Sequence, residues 1–510
     1  MSADWSGGYA VETGYTYHTY PELNPVRAAL PLLLKGVRAP TIRTACELGF
    51  GQGCSAAVHA ATQADIAWWG CDFAPAQAVF ARDLVSASGA PAHLYDDSFE
   101  EFAARPDLPD FDFVALHGIW SWVSEETRAG VVAFLRRKLR PGGVVYITYN
   151  AMPGWATATP LRHLMKRHVD MMGAPARGPN ANLDAALSTM QRFFALDPAY
   201  ARITPGVTER LDGIVRQDRT YLTHEYLGGH WSPMWFSEVE AKLAPAKLSF
   251  GASAWMADHI DGLNLSSEML AFLGELPDPS LRETFRDVAV QAQFRRDYWL
   301  RGAQALSPAD QHRALRDQRV VMAKPVSQRP AKTTGVYAET SLDGPIYDAL
   351  YDALGDYQPR SIGELEAILP EAAPFSDLTM ALVALISQGA VLPAQTSDAA
   401  ARSAGTAKAL NLELARRAAE SGDLGFLAAP VTGGALNASR FDQLFWLALQ
   451  DGGGPADWAR YAAGVLAEQK QTLVAGGAPM APEAVLAALE AQAEAFARNE
   501  LPCWRGLGVV

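Results

Sequence analysis

Between Thr44 and Ala57 the chain reads TACELGFGQGCSAA: an apolar run, three glycines at alternate positions, then a polar, alanine-rich stretch. A glycine-rich turn leading from a strand into a helix lets a ligand approach the backbone closely, so this segment narrows the choice of fold. Its surroundings continue the rhythm. From Thr41 to Asn150 short apolar runs alternate with helical patterns, which is how a parallel sheet with crossover helices reads in sequence. Strands are expected at 42–48, 66–72, 92–96, 111–117 and 143–149. Between them SAAVHAAT, PAQAVFARDLVSAS and EETRAGVVAFLRRKL carry apolar residues at helical spacing, and RPGG (140–143) is expected to close the last helix. The fold class is α/β, a doubly wound, Rossmann-like sheet.

The glycines are Gly49, Gly51 and Gly53. A dinucleotide fingerprint needs G-x-G-x-x-G, and here Cys54 stands at its last position; a P-loop needs Lys and then Ser or Thr after its final glycine. Loops that hold phosphate also add helix-terminal N–H groups and often a cation, whereas this one is preceded by an acid, Glu47. S-adenosylmethionine suits such a loop, because it has no phosphate and carries a sulfonium and an ammonium. Glu47 can favour its cationic end, directly or through water. The second apolar run ends in Asp72, followed by Phe73, where a carboxylate can accept both ribose hydroxyls. The third ends in DDSF (96–99), suited to an adenine edge. There Asp97 can accept from the exocyclic amine while Ser98 or Phe99 offers a backbone N–H; Asp96 is an alternative to Asp97.

Composition sets outer bounds. The formal charge of −13 argues against a nonspecific grip on nucleic-acid phosphates, and the basic run RRKLR (136–140) reads as a solvated helix end. Four cysteines occur, none paired at metal-ligand spacing, so no metal site is expected and a reducing cytoplasm is. The first residues lack the basic and apolar regions of a secretory signal, and no stretch approaches a membrane span, so no stable membrane insertion is expected.

ELGFGQG, WGCD, DDSF and LRPGGVVYITYN together resemble the class I S-adenosylmethionine-dependent methyltransferases, over about residues 20–165. YLTHEYLGGHWSPMWFSEVEAKL and FRRDYWLRGA resemble the predicted methyltransferase regulatory domain that follows such a catalytic domain in one bacterial family. HGIWSWVS (117–124) and YNAMPGW (149–155) are similar to that family's core. The resemblance implies bacterial protein lysine methyltransferases acting on outer-membrane proteins, which end in a winged-helix-like domain. The expected organisation is an N-terminal lid and helix segment (1–40), a class I methyltransferase domain (41–205), a mainly helical regulatory domain (206–326) reading as helices to about Ala303, and an α-rich, winged-helix-like C-terminal region (327–510). A polar linker at 327–341 marks the last boundary, and residues 344–394 show a helix, helix, helix, short strand pattern. PFSDLTMALVALISQGA contains no Lys or Arg, so this module reads as protein-interacting or substrate-presenting, with no nucleic acid expected.

Methyl transfer from a sulfonium is an in-line displacement, and ligands of α/β sheets sit at the carboxyl ends of the strands. That puts the segments after the fourth and fifth strands beside the transferring methyl. His117 can accept a proton or hydrogen-bond the adenosine side; as a bland alternative it is a strand-end histidine bonded to backbone. Trp120, Trp122 and Trp155 can wall a channel, with Tyr149 beside them, or pack a domain interface. Tyr149 and Asn150 can otherwise serve as a strand cap or turn, while Asn150 in the site would orient an acceptor amine. In the N-terminal YTYHTYPELNP, Tyr17, His18 and Tyr20 are lid candidates or packing residues. THEYL (223–227) reads as an interdomain core. The expected acceptor is a lysine of a protein substrate. Two rivals remain: a small-molecule or glycan hydroxyl or amine, the hydroxyl needing a base such as His117, and a cofactor-binding regulatory protein without turnover.

Overall fold

A computed structural model describes residues 16–369 and 373–510. Among them the main sheet runs β3-β2-β1-β4-β5-β7-β6. Its parallel part is β1 (Thr44–Leu48), β2 (Ala67–Cys71), β3 (Ala92–Tyr95), β4 (Phe111–Leu116) and β5 (Leu139–Asn150). The chain crosses over through α2 (Cys54–Thr62), α3 (Pro75–Ser88), α4 (Phe99–Ala104) and α5 (Glu125–Lys138), and α1 (Pro25–Leu34) precedes the sheet. Strand order reverses between β1 and β4, which opens a crevice at their carboxyl ends.

The strands alternate between two cores. Ala45, Phe113, Ala115, Val144 and Tyr146 pack with α1, α2 and α3, whereas Cys46, Leu48, Val114, Leu116, Val145 and Ile147 pack with α4 and α5. Both faces are covered, so the strands read as nearly unbroken apolar runs. The RPGG segment differs from the sequence reading: α5 ends at Lys138, and Arg140–Gly143 lies at the start of β5. There Phe111 pairs with Leu139 and Phe113 with Val144, so the extra β5 residues form an irregularity that Gly142, at φ 85°, accommodates.

Two strands fall where helices were expected. β6 (Leu248–Ser253) and β7 (Phe294–Arg301) extend the sheet, β7 antiparallel to both β5 and β6. The FRRDYWLR of β7 hides its strand character because its charges point inward. Arg295 donates to Asp297 (2.9 Å), Asp287 (2.6 Å) and Glu283 (3.0 Å), and Asp297 also accepts from the Tyr149 hydroxyl at 2.9 Å. Arg295, Asp297 and Asp287 are all buried, and the guanidinium also lies over the Phe236 ring.

Helices 159–172, 179–194, 207–215 and 219–227 build a separate cap around Leu161, Met165, Leu183, Leu187, Leu211 and Leu222. Trp155 and Tyr226 join this core, so the cap is rooted at the end of β5. Beyond it, helices 345–354, 362–366 and 375–387 accompany strands 319–322, 360–361 and 391–393, which form one small sheet. The long helix 397–420 then packs on α2 and α3. Gln63 donates to the Gly433 carbonyl, Gln395 to that of Thr62 and Asn24 to that of Thr432. Every residue of α2 is buried as a result.

Replacing Arg295 by Met leaves Asp287 and Asp297 buried without their cation. The expected loss is about 3–5 kcal/mol in the unfolding transition that includes the sheet, read by chemical denaturation; an unchanged transition would show that the cluster contributes nothing to the β5–β7 junction.

Candidate functional site

The glycine turn sits at the carboxyl end of β1, facing the crevice. Gly49, Gly51 and Gly53 have φ of 72°, 56° and 67°, a region that side chains strain to adopt. Space is also short. A Cβ on Gly49 would lie 2.4 Å from the Ile119 side chain, and one on Gly53 would lie 2.3 Å from the Ala81 Cβ on α3. The first glycine therefore admits the segment after β4, and the last seats α2 against α3.

Glu47 and Asp72 flank this turn, both buried. The Asp72 carboxylate accepts from the Gly51 N–H at 2.8 Å and the Ala74 N–H at 3.0 Å. Burial pushes its carboxyl up to about 6 despite those donors. Glu47 is pushed up to about 8, by burial first and by the Asp72 charge second, and its Oε2 has no hydrogen-bond partner. Among the described residues neither acid has a cationic side chain in ion-pair range, so a bound cation would favour the charged form of Glu47. S-adenosylmethionine fits this donor set: its ammonium suits Glu47, its ribose hydroxyls suit Asp72, and the glycines leave room for its backbone-hugging part. A phosphate would meet two acids and no cation.

The adenine-edge candidates are more divided. Asp97 pairs with Arg105 at 3.1 Å, and Asp96 pairs with Arg82 at 2.6 Å. Ser98 caps α4: its hydroxyl accepts from the Glu101 N–H at 3.2 Å and its own N–H donates to the Glu101 carboxylate at 2.9 Å. The Phe99 ring, for which the sequence suggested only a backbone role, lies 3.6 Å from where a Gly49 Cβ would be. Phe73 is half-buried directly after Asp72.

His117 ends β4 on the α1–α3 side. Its ring stacks on Tyr20 with centroids 3.7 Å apart, and its Nδ1 is 3.1 Å from the Tyr146 hydroxyl. Burial, then the nearby Arg296 and His18, push it down to about 3, so the ring is neutral at physiological pH. The Tyr20 N–H donates to Ser55 in the first turn of α2, which holds the N-terminal segment next to the glycine turn. Tyr17 instead packs on Phe80 of α3. Tyr146 was not anticipated; its position three residues before Tyr149 on an apolar strand gave no sign that it faces His117.

Tyr149 and Trp120 lie on the other face of the sheet, fully buried in the α4–α5 core, the Tyr149 hydroxyl engaged by Asp297. Asn150 is buried at the end of β5. Its N–H donates to Ser121, and its Nδ2 has no hydrogen-bond partner. Trp122 is half-buried beside Gly228, and Trp155 meets Trp231 edge-on at 5.1 Å. Arg162 and Arg210 lie over the Trp231 and Trp155 rings, at 4.3 and 4.6 Å. The segment 230–236 is stitched to these loops by the Ser232 N–H donating to Ser121 and the Met152 N–H donating to Met234. The structure thus gathers Glu47, the three glycines and Asp72, with His117 and Tyr20 at the end of β4, while Tyr149 and Trp120 lie in the buried α4–α5 core.

Comparison with known proteins adds three findings. Residues 46–147 match a family described as a methyltransferase domain, and residues 218–301 match one described as a predicted methyltransferase regulatory domain. An uncharacterized Synechocystis protein, sll1526, is 33% identical over 511 residues, covering 99% of each chain. A Rickettsia prowazekii protein, RP028, is 26% identical over 243 residues, 45% of this chain and 91% of its own. Among solved structures, PKMT2 from Rickettsia typhi in complex with AdoHcy superposes with a TM-score of 0.69 at 16% identity, over 96% of this chain and 99% of that one. With both family segments built into one sheet and a relative matched from end to end, the chain belongs to the class I S-adenosylmethionine-dependent methyltransferases that carry a methyltransferase regulatory domain, enzymes whose cofactor is S-adenosylmethionine.

Proposed function

We propose that this enzyme methylates lysine side chains of a protein substrate. The observation that carries the reading is the surroundings of His117. An acceptor hydroxyl needs a base held ready for its proton, and a ring pushed down to about 3 and hydrogen-bonded to Tyr146 is a poor one. An amine needs only to arrive without its extra proton, and an aromatic-walled approach that strips water favours that neutral form. The whole-chain fold likeness to the protein lysine methyltransferase PKMT2 agrees with this choice.

In this reading S-adenosylmethionine, when bound, supplies a methyl group activated on a sulfonium. Glu47 holds the ammonium end, Asp72 the ribose, and Gly49, Gly51 and Gly53 the close backbone approach. Phe73 and Asp97, with the Phe99 ring, flank the adenine, and the capped Ser98 fixes the start of α4. Tyr20 and His117 close the crevice from the N-terminal side. Asn150, with its unsatisfied amide, orients the acceptor nitrogen, while Trp122 and Trp155 line its approach; Tyr149 and Trp120 support them from behind. The helices and small sheet of residues 319–393 act as a winged-helix-like module that presents the substrate. Four buried, unpaired cysteines fit a cytoplasmic location.

Incubation of the full-length protein with methyl-tritiated cofactor and cell extract should place label in methylated lysine after acid hydrolysis; label confined to small metabolites would defeat the protein-lysine reading. Asp72→Ala should weaken S-adenosylhomocysteine affinity by about tenfold to a hundredfold in calorimetry, and unchanged affinity would remove the ribose role. The pH dependence has a definite sign. The Glu47 carboxyl, at about 8 in the free protein, drops toward its ordinary range beside an ammonium, so binding releases a proton below pH 8. Affinity should therefore rise by up to about tenfold per unit as pH rises toward 8 and fall again once the cofactor's own ammonium loses its proton. Glu47→Gln should flatten that slope.

A further inference from the structure

We propose that Arg128 is a positioning residue for methyl transfer: its buried guanidinium sets the loop 117–124 against the glycine turn, the end of β5 and the cap. This role does not depend on which acceptor is methylated. The loop joins β4 to α5. Its start is tied to β5, where the Gly118 N–H donates to the Thr148 hydroxyl at 2.7 Å. Next, the Ile119 side chain presses on the glycine turn, 2.4 Å from where a Gly49 Cβ would lie. The Ser121 hydroxyl accepts from the Asn150 N–H at 2.9 Å, and the Ser121 carbonyl accepts from the Ser232 N–H at 2.8 Å. Trp122 then meets the cap, with ring atoms 3.4 Å from where a Gly228 Cβ would lie. One short loop thus touches the cofactor turn, the end of the acceptor-side strand and the cap.

What holds the loop from behind is a side chain that local helix rules disfavour. Arg128 lies at the end of the first turn of α5, where the positive pole of the helix opposes a cation, and it is only 3% exposed. Its Nη1 donates to the Trp120 carbonyl at 2.9 Å and to the Val123 carbonyl at 2.7 Å. Among the described residues no backbone N–H donates to either carbonyl, so one guanidinium nitrogen fixes two points of the loop. Between those points lie Ser121 and Trp122, the residues that face β5 and the cap. The Nη2 donates to the Glu125 carboxylate at 3.0 Å, and Glu125 also accepts from Lys242 of the regulatory segment at 2.8 Å. Glu125 is 66% exposed, a setting in which an ion pair contributes little. The Nε–H has no partner. A buried cation with one donor unsatisfied is a weak source of stability, whereas a planar guanidinium holding two carbonyls is a strong source of geometry. A displacement of about 1 Å near the reacting groups can cost on the order of a hundredfold in rate, so this clamp bears on the transfer step.

The experiment compares the full-length wild type with Arg128→Met, Arg128→Lys and Lys242→Ala, each checked for melting temperature and S-adenosylhomocysteine affinity. Two quantities are read. One is deuterium exchange of the backbone amides of 117–124 by mass spectrometry with S-adenosylhomocysteine bound. The other is the rate of tritium transfer from methyl-labelled S-adenosylmethionine, at saturating cofactor, to all acceptors of a cell extract; because every acceptor is counted, the outcome is independent of the lysine reading. Arg128→Met strands no buried partner, since Glu125 is exposed, and is expected to fold and to bind S-adenosylhomocysteine within about threefold of the wild type. Loop exchange should rise and transfer should fall, each by at least about tenfold, with exchange in β1 to β3 unchanged. Arg128→Lys keeps the charge and can reach one carbonyl, so it should recover part of both. Lys242→Ala should leave both within about twofold. A folded, cofactor-binding Arg128→Met with wild-type transfer overturns the proposal, and so does slowed transfer without faster loop exchange. An equal loss in Lys242→Ala overturns it too, because the exposed pair rather than the carbonyl clamp would then place the loop. If Arg128→Met loses its fold or its cofactor affinity, Arg128→Lys decides. A folded Arg128→Lys with full transfer overturns the proposal, and one with slower transfer and faster loop exchange supports it. Failure of both to fold assigns Arg128 to the fold and overturns the positioning role.

Discussion

The antiparallel pairing of β7 with β5 is the constraint on which the rest of the molecule depends. It runs the full length from Val144 opposite Leu300 to Asn150 opposite Phe294, and it brings residues from the regulatory segment into the sheet that carries the site. Arg295 locks it. With Asp287, Asp297 and Glu283 around one guanidinium, and Tyr149 hydrogen-bonded into the same cluster, the charges are desolvated together and hold one another in place. The neighbouring strand residue, Arg296, turns toward the other face, where it lies over Trp255 and Phe294 and 3.9 Å from the buried Glu22. The Glu22 carbonyl accepts from Tyr298, also on β7. One strand of the regulatory segment thus supports the end of β5 on one face and the N-terminal segment bearing Tyr20 on the other.

At the glycine turn an acid is buried without a cationic side chain beside it: Glu47, next to Asp72 and three glycines of positive φ. Burial disfavours its charged form, and a bound cation restores it. His117, at the end of β4, is a neutral, stacked ring, better suited to packing and a hydrogen bond than to taking a proton.

Much of this was legible from residues alone. The first five strands, the glycine turn and the acids at the ends of β1 and β2 are local patterns, each set by a run of apolar residues or a turn chemistry within a few positions. The strands β6 and β7 were not legible, because FRRDYWLR puts three charges in a row and then three bulky residues where alternation would mark a strand, and Arg295 is neutralised by Asp297 on the strand itself and by Asp287 and Glu283 on the preceding helix 279–290. RPGG read as a helix stop because proline and glycine end helices in general; here the helix had already ended at Lys138 and the glycine served a strand irregularity. Ser98 read as an adenine-edge donor, and the structure turns its N–H to the Glu101 carboxylate in a capping box at the start of α4.

Tyr149, Asn150 and Tyr146 show where the division falls. Sequence by itself put all three at one apolar strand, and the glycine turn with its acids pointed to a cationic nucleoside without phosphate as the cofactor. Only the tertiary structure decided which face each residue meets. Alternation sends Tyr146 to His117 and Tyr149 to Asp297, and leaves Asn150 at the strand end with an unpaired amide. The physical reason is that a strand's own sequence specifies alternation but not the neighbours: those come from α1, β7 and the cap helices, distant in the chain and brought together by packing.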